Sequence, residues 1–398
     1  MLSFGTFLIE AAQNEDKLKH LEHAEDWPIN AGEEGFNHAF KTLHATHQLL
    51  QGHAVKGASI STKYDGSPSI VFGHHPETGK FFVASKSVFN KDPKLNYTHE
   101  DILNNHGHAE GLVSKLKSAL EHLPKVTPKK GVFQGDFMYS KKDSDVAKDE
   151  KGNLSFKPNT IRYSAKKGSE ESAKAVKAHI GVAIHTAYHG DKLENMKAEY
   201  NADLSKFKEH PDVHIINTKF DPKSAAYSKE DQNKFESHMQ KALVENQKLN
   251  GNHSHTDNHV EHLKTYINST VKDGSTPTVS GYRTHLRTKL QKEVDKVKTD
   301  KAKAAKLQTL NEMSRHVDKY ENEFKHTFAT HQHLQKAKNI LAHSLSNAKY
   351  PFEHSILDKN TQTYKSTKPE GHVAVINNRP SKIVDREEFS KANFEARS

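Results

Sequence analysis

The chain has 398 residues, of which 33% are hydrophobic and none is cysteine. This length is enough for two or three domains, and the low hydrophobic content indicates that part of the chain is helical and solvated. Disulfides and thiolate chemistry are excluded, and no run of eighteen apolar residues is present to span a membrane. We therefore expect a cytoplasmic protein that does not associate with membranes.

Lysine and arginine number 59 against 50 aspartate and glutamate residues, which gives a formal charge of +9. Such an excess is typical of proteins that bind nucleic acid, because surface cations release counterions from phosphates. It is equally typical of a protein with a merely soluble, lysine-rich surface. Charge alone leaves both interpretations open.

Residues 1–57 are predicted to form an N-terminal helical segment. Apolar residues such as Phe36, Leu43 and Leu50 recur on one helical face, and Gly52 is placed to end the helix.

Residues 58–190 have the pattern of antiparallel strands. The first three are ASISTKYDG, PSIVFGH and KFFVASKSVF, separated by turn signals such as Asp65-Gly66. A helix is predicted over 99–122, and it is followed by the strands GVFQGDFMYS, SFKPNTIRYSA and HIGVAIHTAYHG.

Residues 191–349 have helical periodicity, with a possible strand at 213–216. Leu286, Leu290 and Val294 lie on one helical face, which predicts a helical hairpin or small bundle. Strand patterns return in GHVAVINN and PSKIVDR, and these last strands need earlier ones as partners. The predicted fold class is therefore α+β, with antiparallel sheets formed by 58–190 and 350–398 and interrupted by a helical insertion at 191–349.

The stretch STKYDGSPS, residues 61–69, contains a K-x-D-G tetrapeptide that begins at Lys63. Asp-Gly is a common turn dipeptide, so Lys63 is either a surface lysine beside a turn or a nucleophile. The tetrapeptide by itself does not decide between them.

Several segments, taken in order, resemble motifs of the covalent nucleotidyltransferase superfamily, which includes ATP-dependent RNA and DNA ligases and mRNA capping enzymes. STKYDGSPSIVFG resembles the motif whose lysine becomes nucleotidylated. It is followed by FFVASKS, GVFQGDFMYS, HIGVAIHTAY, EGHVAVI and PSKIVDREEF, which resemble the later motifs. The overall pattern, including HLEHAED near the N-terminus, is similar to ligase-like proteins of tailed phages.

The resemblance implies an ATP-grasp-like ligase nucleotidyltransferase domain that uses ATP and Mg²⁺. Lys63 and Lys382 are the implied catalytic residues, and Asp136 and Glu370 the implied metal ligands. The implied nucleotide-binding residues are Thr62, Asp65, Gly66, Lys86, Asp136, Ile184, Glu370 and Lys382.

These roles follow from the chemistry of the family. The lysine amine must be held in place and be transiently neutral to attack the α-phosphorus of ATP, and a nearby cation such as Lys382 favours its neutral form. Carboxylates such as Asp136 suit magnesium, which prefers oxygen ligands. Lys86 and Lys382 would offset phosphate charge in the transition state.

Each of these residues also has an ordinary structural interpretation. Lys86 could point outward from a strand, and Lys382 could be an edge-strand lysine that prevents aggregation. Asp136 and Glu370 each adjoin a glycine, so either could only shape a turn.

The chain departs from the family pattern in three places. The motif around Lys382 usually has a second lysine two residues later, where this chain has Val384; Arg379, Arg386 and Lys391 are the candidates to replace it. Ile184 or His185 stands where an aromatic residue often stacks on the base. We also expect no OB-fold domain after the last motif, which favours RNA-ligase-like enzymes.

Two histidine-rich stretches are possible metal sites, although solvated helix edges are the more common outcome. They contain, respectively, His20, Glu22, His23, Glu25 and Asp26, and His253, His255, His259 and His262.

The sequence thus predicts an ATP-dependent polynucleotide ligase, acting on RNA rather than DNA, through a lysyl-AMP intermediate at Lys63. One alternative is a non-catalytic nucleic-acid-binding or virion-associated protein with a ligase-like fold. Another is an adenylyltransferase that acts on a different acceptor. The insertion at 191–349 is expected either to clamp the nucleic-acid backbone or to cover an exposed face of the sheet.

Overall fold

The computed structural model describes residues 21–387. Its helices are α1 (Trp27–Leu50), α2 (His99–His106), α3 (Glu110–His122), α4 (Glu170–Lys177), α5 (Lys229–Gln247), α6 (Val260–Asp273), α7 (Val279–Lys296), α8 (Asp300–Lys319) and α9 (Glu321–Ser346). Its strands are β1 (Ala58–Lys63), β2 (Ser69–His74), β3 (Phe81–Ala84), β4 (Val132–Ser140), β5 (Val146–Lys148), β6 (Leu154–Phe156), β7 (Ile161–Ala165), β8 (Ile180–His189), β9 (Lys197–Tyr200), β10 (Val213–Asn217), β11 (Glu353–Asp358), β12 (Thr363–Ser366), β13 (Gly371–Ile376) and β14 (Arg379–Ile383).

The strands form three sheets. Sheet A has the order β1-β13-β14, sheet B has the order β10-β8-β4-β2-β3 with β9 also paired to β8, and sheet C has the order β12-β11-β7-β6-β5. All strand pairs are antiparallel except β8 with β10. The α+β class and the antiparallel sheets are confirmed, and the last strands do pair with early ones across the helical region.

The register of sheet A brings together distant parts of the sequence. Lys63, the last residue of β1, lies opposite Gly371, the first residue of β13. In the next pair of strands, Lys382 lies opposite Val373. The residue before Gly371 is therefore held beside Lys63, and Lys382 is held two strands away.

Sheets A and B are joined along the second edge of β1. The amide of Thr62 donates to the carbonyl of Thr218 at 2.7 Å, and the amide of Phe220 donates to the carbonyl of Ile60 at 3.1 Å. Because 218–220 directly follows β10, the two sheets diverge from a common seam, and a cleft lies between them.

Helices α1, α5 and α9 cover one face of sheet A. Phe36, Phe235 and Leu341, one from each helix, share a buried cluster with Ile60 of β1 and Ala374 of β13. These helices therefore act as the cover that one of the two sequence interpretations predicted. A role in binding nucleic acid stays a prediction.

The remaining helices form two further layers. Ile102 of α2 and Leu116 of α3 pack on Ile70 and Phe72 of sheet B. Helices α6, α7 and α8 form a separate apolar core with α9, which includes Phe324. No helix within residues 21–387 is long and apolar enough to cross a bilayer.

The predicted boundaries change in two places. The helices of the insertion begin at Lys229 rather than at 191, because β9 and β10 pair with β8 and belong to sheet B. The single helix predicted over 99–122 is divided into α2 and α3, with Gly107 at the end of α2. Four short strands, β5, β9, β11 and β12, were not predicted.

Candidate active site

The cleft between sheets A and B has a volume of about 360 Å³, which is within the usual range for small-molecule sites. Five of the predicted site residues line it: Thr62, Lys63, Lys86, Asp136 and Lys382. They come from β1, the turn after β3, β4 and β14, so segments that are far apart in sequence supply one surface.

Lys63, which lines the cleft, forms an ion pair with Glu370, which is not among the lining residues. The Nζ atom of Lys63 donates to Oε1 of Glu370 at 2.5 Å, and the two side chains are 26% and 11% exposed. The other oxygen of Glu370, Oε2, is buried and accepts no hydrogen bond. Glu370 therefore contacts a side chain 307 positions away rather than only shaping a turn.

The charges around the pair shift both pKa values. Burial disfavours the ammonium form of Lys63, but Glu370, with Asp136 and Asp65, outweighs burial and raises the pKa of Lys63. Burial also raises the pKa of Glu370, against the opposing effect of Lys63. Both pKa values are raised, so the amine of Lys63 and the carboxylate of Glu370 compete for the proton between them. Given the short contact, we infer that Lys63 is the cation of the resting pair and that Glu370 is more basic than an exposed carboxylate.

Lys382 lies on β14 with its amide hydrogen-bonded to the carbonyl of Glu22 at 2.8 Å. His23 forms a parallel β-bridge with Lys382, so residues 22 and 23 cover the edge of β14. Burial, and then the charge of Lys63, lower the pKa of Lys382. The interpretation of Lys382 as an exposed edge lysine is therefore wrong, since its edge is paired and its side chain faces the cleft.

Lys86, unlike Lys382, does not lie on a strand, because β3 ends at Ala84 and Lys86 begins a 3₁₀ turn. Burial lowers the pKa of Lys86, and the charge of Asp136 partly offsets that effect. The lysine therefore reaches the cleft from a turn rather than pointing outward from a pleated strand.

Asp136 is 21% exposed on β4 and has the imidazole Nε2 of His185 at 3.8 Å from one of its oxygens. Gly66 packs directly against it: a Cβ at position 66 would lie 2.4 Å from the Cβ of Asp136. The glycine of the K-x-D-G turn thus lets the turn approach β4 closely.

Asp65 has a different role from the one expected. Its carboxylate accepts hydrogen bonds from the side chain of Asn159 at 2.8 Å and from the amides of Thr160 and Ile161 at 2.8 and 3.0 Å. Its own amide donates to the hydroxyl of Tyr163 at 2.7 Å. Asp65 is buried and anchors the start of β7, so the expectation that its carboxylate approaches a nucleotide is corrected.

Ile184 does not line the cleft. It is fully buried in the core between sheet B and α3, whereas its neighbour His185 faces the cleft. Successive side chains of a strand point to opposite faces, so the two residues cannot share the role. The predicted nucleotide contact of Ile184 is therefore wrong, and His185 takes its place in the cleft.

The expected replacement for the missing lysine at position 384 is not found among the described residues. The guanidinium of Arg379 lies 4.2 Å from the ring centroid of Trp27 and pairs with Glu34. Arg386 is buried, and both oxygens of Asp26 accept hydrogen bonds from it at 3.0 Å. Lys391 lies outside the described residues.

Among the cleft residues that were not predicted are Gln134, Tyr188 and Tyr200. The hydroxyl of Tyr188 donates to the amide oxygen of Gln134 at 2.5 Å, and the amide nitrogen of Gln134 donates to Ser69 at 2.9 Å. Gln134 stands two residues before Asp136, so strand alternation from that aspartate was a signal for it.

Within residues 21–387, no three histidine, aspartate or glutamate side chains gather to hold a metal by themselves. In HLEHAED, the carboxylate of Glu25 accepts from Lys338 at 2.6 Å and that of Asp26 accepts from Arg386, so both serve ion pairs. His20 lies outside the described residues. In the second stretch, His255 and His259 are buried in the helical bundle.

No curated protein and no solved structure matches the chain. A family model described as a family of unknown function (DUF6267) matches residues 14–398, which is nearly the whole chain. The chain therefore belongs to this family of unknown function, DUF6267.

Proposed function

We propose that the protein is an ATP-dependent polynucleotide ligase of the covalent nucleotidyltransferase type, with RNA as the preferred acceptor and an ATP-grasp-like ligase domain. The observation that carries the proposal is the Lys63–Glu370 pair at 2.5 Å in a cleft that Lys86, Lys382 and Asp136 also line. A half-buried lysine paired to a carboxylate whose pKa is raised, with further cations nearby, suits attack on a phosphate ester.

In the first step, the Nζ atom of Lys63 attacks the α-phosphorus of ATP. A nitrogen–phosphorus bond forms, the bond from that phosphorus to the bridging oxygen breaks, and pyrophosphate leaves with the electron pair. The ammonium of Lys63 must lose a proton first. Glu370 is 2.5 Å away and its raised pKa suits it to accept that proton.

The cations in the cleft favour the same step. The charge of Lys382 lowers the cost of a neutral Lys63, because two like charges disfavour each other. The half-buried Lys86 reaches the cleft from the turn that follows β3 of sheet B. Together the two lysines would offset negative charge that accumulates on the phosphates.

The described residues fit a magnesium ion. Oε2 of Glu370, which is paired with Lys63 through its other oxygen, is a buried oxygen without a hydrogen-bond donor, and the carboxylate of Asp136 lines the cleft. Magnesium in phosphoryl-transfer sites is commonly held by one or two carboxylates and completed by water and phosphate oxygens. When bound, it would neutralise phosphate charge and so assist departure of pyrophosphate.

In the later steps of the proposal, AMP passes from Lys63 to the 5′-phosphate end of a polynucleotide. A 3′-hydroxyl then attacks that end and releases AMP, which closes the strand.

The decisive experiment is incubation with magnesium and ATP labelled at the α-phosphate, followed by denaturation. We expect label on the wild-type chain and none on Lys63→Ala. Lys56→Ala is the matched control, because Lys56 is an exposed lysine just before the same strand, and it should be labelled like the wild type. Equal labelling of Lys63→Ala and the wild type would contradict the proposal.

A second candidate is a non-catalytic nucleic-acid-binding or virion-associated protein. Two observations favour it: Glu370 keeps Lys63 charged, and neither Arg379 nor Arg386 supplies a second cation to the cleft. It predicts no label from ATP, GTP or NAD, together with salt-sensitive binding of RNA. An adenylyltransferase with another acceptor predicts labelled Lys63 without transfer to polynucleotide ends.

A further inference from the structure

A second groove adjoins the cleft and opens to the surface between β1 and β9. Its volume is about 540 Å³. Tyr200 and Val375 line both the groove and the cleft. A ligand in the groove therefore lies next to whatever occupies the cleft.

The width of the groove is fixed by Asn378, in the turn between β13 and β14. Its side-chain nitrogen donates to the carbonyl of Ala198 at 2.6 Å, and its side-chain oxygen accepts from the amide of Tyr200 at 3.0 Å. The turn has φ of 49° at Asn377 and 62° at Asn378, a conformation that asparagine adopts more readily than most residues. Sheet A is thereby tied to β9 of sheet B.

The lining of the groove combines an apolar floor with a lysine and a histidine at the rim. Ala58 and Val375 supply small apolar surface, and the half-buried Tyr200 supplies an aromatic ring. Lys197 and His189 are exposed at the rim. The acidic residue beside them, Glu199, accepts a hydrogen bond from Nε2 of His189 at 2.6 Å, so Lys197 is the ammonium group that the rim offers to a phosphate.

This combination is the one by which proteins hold single-stranded nucleic acid, in which bases stack on aromatic rings while cations follow the phosphates. A groove of about 540 Å³ has the size of a small-molecule site, which is room for about one or two nucleotides of a single strand rather than for a duplex. We infer that the groove binds the 5′-phosphorylated end of a single-stranded polynucleotide and presents it to the cleft. The inference rests on the proposed function, since it identifies the groove's ligand as the acceptor of that reaction.

Binding is measured without ATP, by fluorescence anisotropy of a labelled, 5′-phosphorylated RNA oligonucleotide and of a blunt duplex of the same sequence. We expect the single strand to bind more tightly than the duplex. Lys197→Ala should weaken binding of the single strand. It should also reduce the slope of log Kd against log salt concentration by about 1, which corresponds to the loss of one phosphate contact. Tyr200→Leu should weaken it about 5- to 150-fold, the effect of losing one stacked base.

Lys148→Ala is the matched control, because Lys148 is an exposed strand lysine on sheet C. It should bind RNA like the wild type. The inference is overturned if Lys197→Ala and Lys148→Ala behave alike, if the duplex binds as tightly as the single strand, or if the wild type binds no single strand. A DNA strand used as competitor shows whether the groove distinguishes the two sugars.

Failure of this inference is distinguishable from failure of the proposed function. Lys197 does not line the cleft, so Lys197→Ala should still accept label on Lys63 while passing less AMP to a 5′-phosphate end. An unlabelled wild type with the expected binding pattern removes the ligase proposal alone. A labelled wild type whose groove variants bind and transfer normally removes the groove inference alone.

Discussion

His354 makes the unfolding free energy of this protein depend on pH between neutrality and pH 5. The residue is the second of β11, is 7% exposed, and has the rings of Tyr163 and Tyr350 beside it, with each ring centroid 5.3 Å from that of the imidazole. Its Nε2 atom is buried without a hydrogen-bond partner. Burial lowers the pKa of His354 to about 4, because an imidazolium loses its hydration in this site.

The sign and the size of the effect follow from proton linkage. An unfolded chain binds the proton with a pKa of about 6.5, so the stability from neutral His354 is fully present above that pH and is lost as pH falls towards the folded pKa of about 4. At pH 5 the unfolded state gains about 2 kcal/mol relative to pH 7 from this one group. His354→Phe removes the titration and keeps an aromatic ring in the site.

The assay is urea unfolding of the wild type and His354→Phe at pH 7 and pH 5 and at equal ionic strength. The difference between their unfolding free energies should move by about 2 kcal/mol in favour of the variant at the lower pH. His99→Phe is the control, since His99 is exposed at the start of α2, and its difference from the wild type should stay nearly constant. A difference for His354→Phe that does not change with pH would refute the reasoning.

Three further predictions concern the site and its supports. Glu370→Gln removes the carboxylate that raises the pKa of Lys63, so an amine-reactive reagent should modify Lys63 at lower pH than in the wild type, as followed by peptide mass mapping; an unchanged pH profile contradicts this. Lys338→Met removes the hydrogen-bonded cation of the buried Glu25 and leaves it only the more distant Arg386, at 3.7 Å, so it should lower the unfolding free energy by about 3–5 kcal/mol. Adding Glu25→Gln should recover most of that loss, and no recovery means that the Lys338–Glu25 pair is not the cause. Gly66→Ala places a methyl group 2.4 Å from a side chain of β4 and should lower the unfolding free energy by about 1–3 kcal/mol in urea unfolding, whereas a neutral result would show that the K-x-D-G turn relaxes easily.

The sequence by itself determined the elements whose signal is local. Strands β1, β4, β8 and β13 have alternating or continuous runs of apolar residues that loops do not usually have. Each of these strands was predicted near its position in the structure. The single apolar faces of α1 and α7 were equally clear. The strands that were missed, such as β9 and β12, are four residues long and lie mostly on the surface, so burial imposes no pattern on them.

Only the tertiary structure decided what each candidate residue contacts. Lys63 and Glu370 are 307 positions apart and meet because β1 pairs with β13 in one register, which no local pattern specifies. The hydrogen bonds that hold the Asp65 carboxylate away from the cleft likewise depend on tertiary packing, because their donors lie 94 to 96 positions later in the sequence. A sequence pattern records how a segment is buried, whereas charge pairing and orientation depend on the partner that packing brings to it.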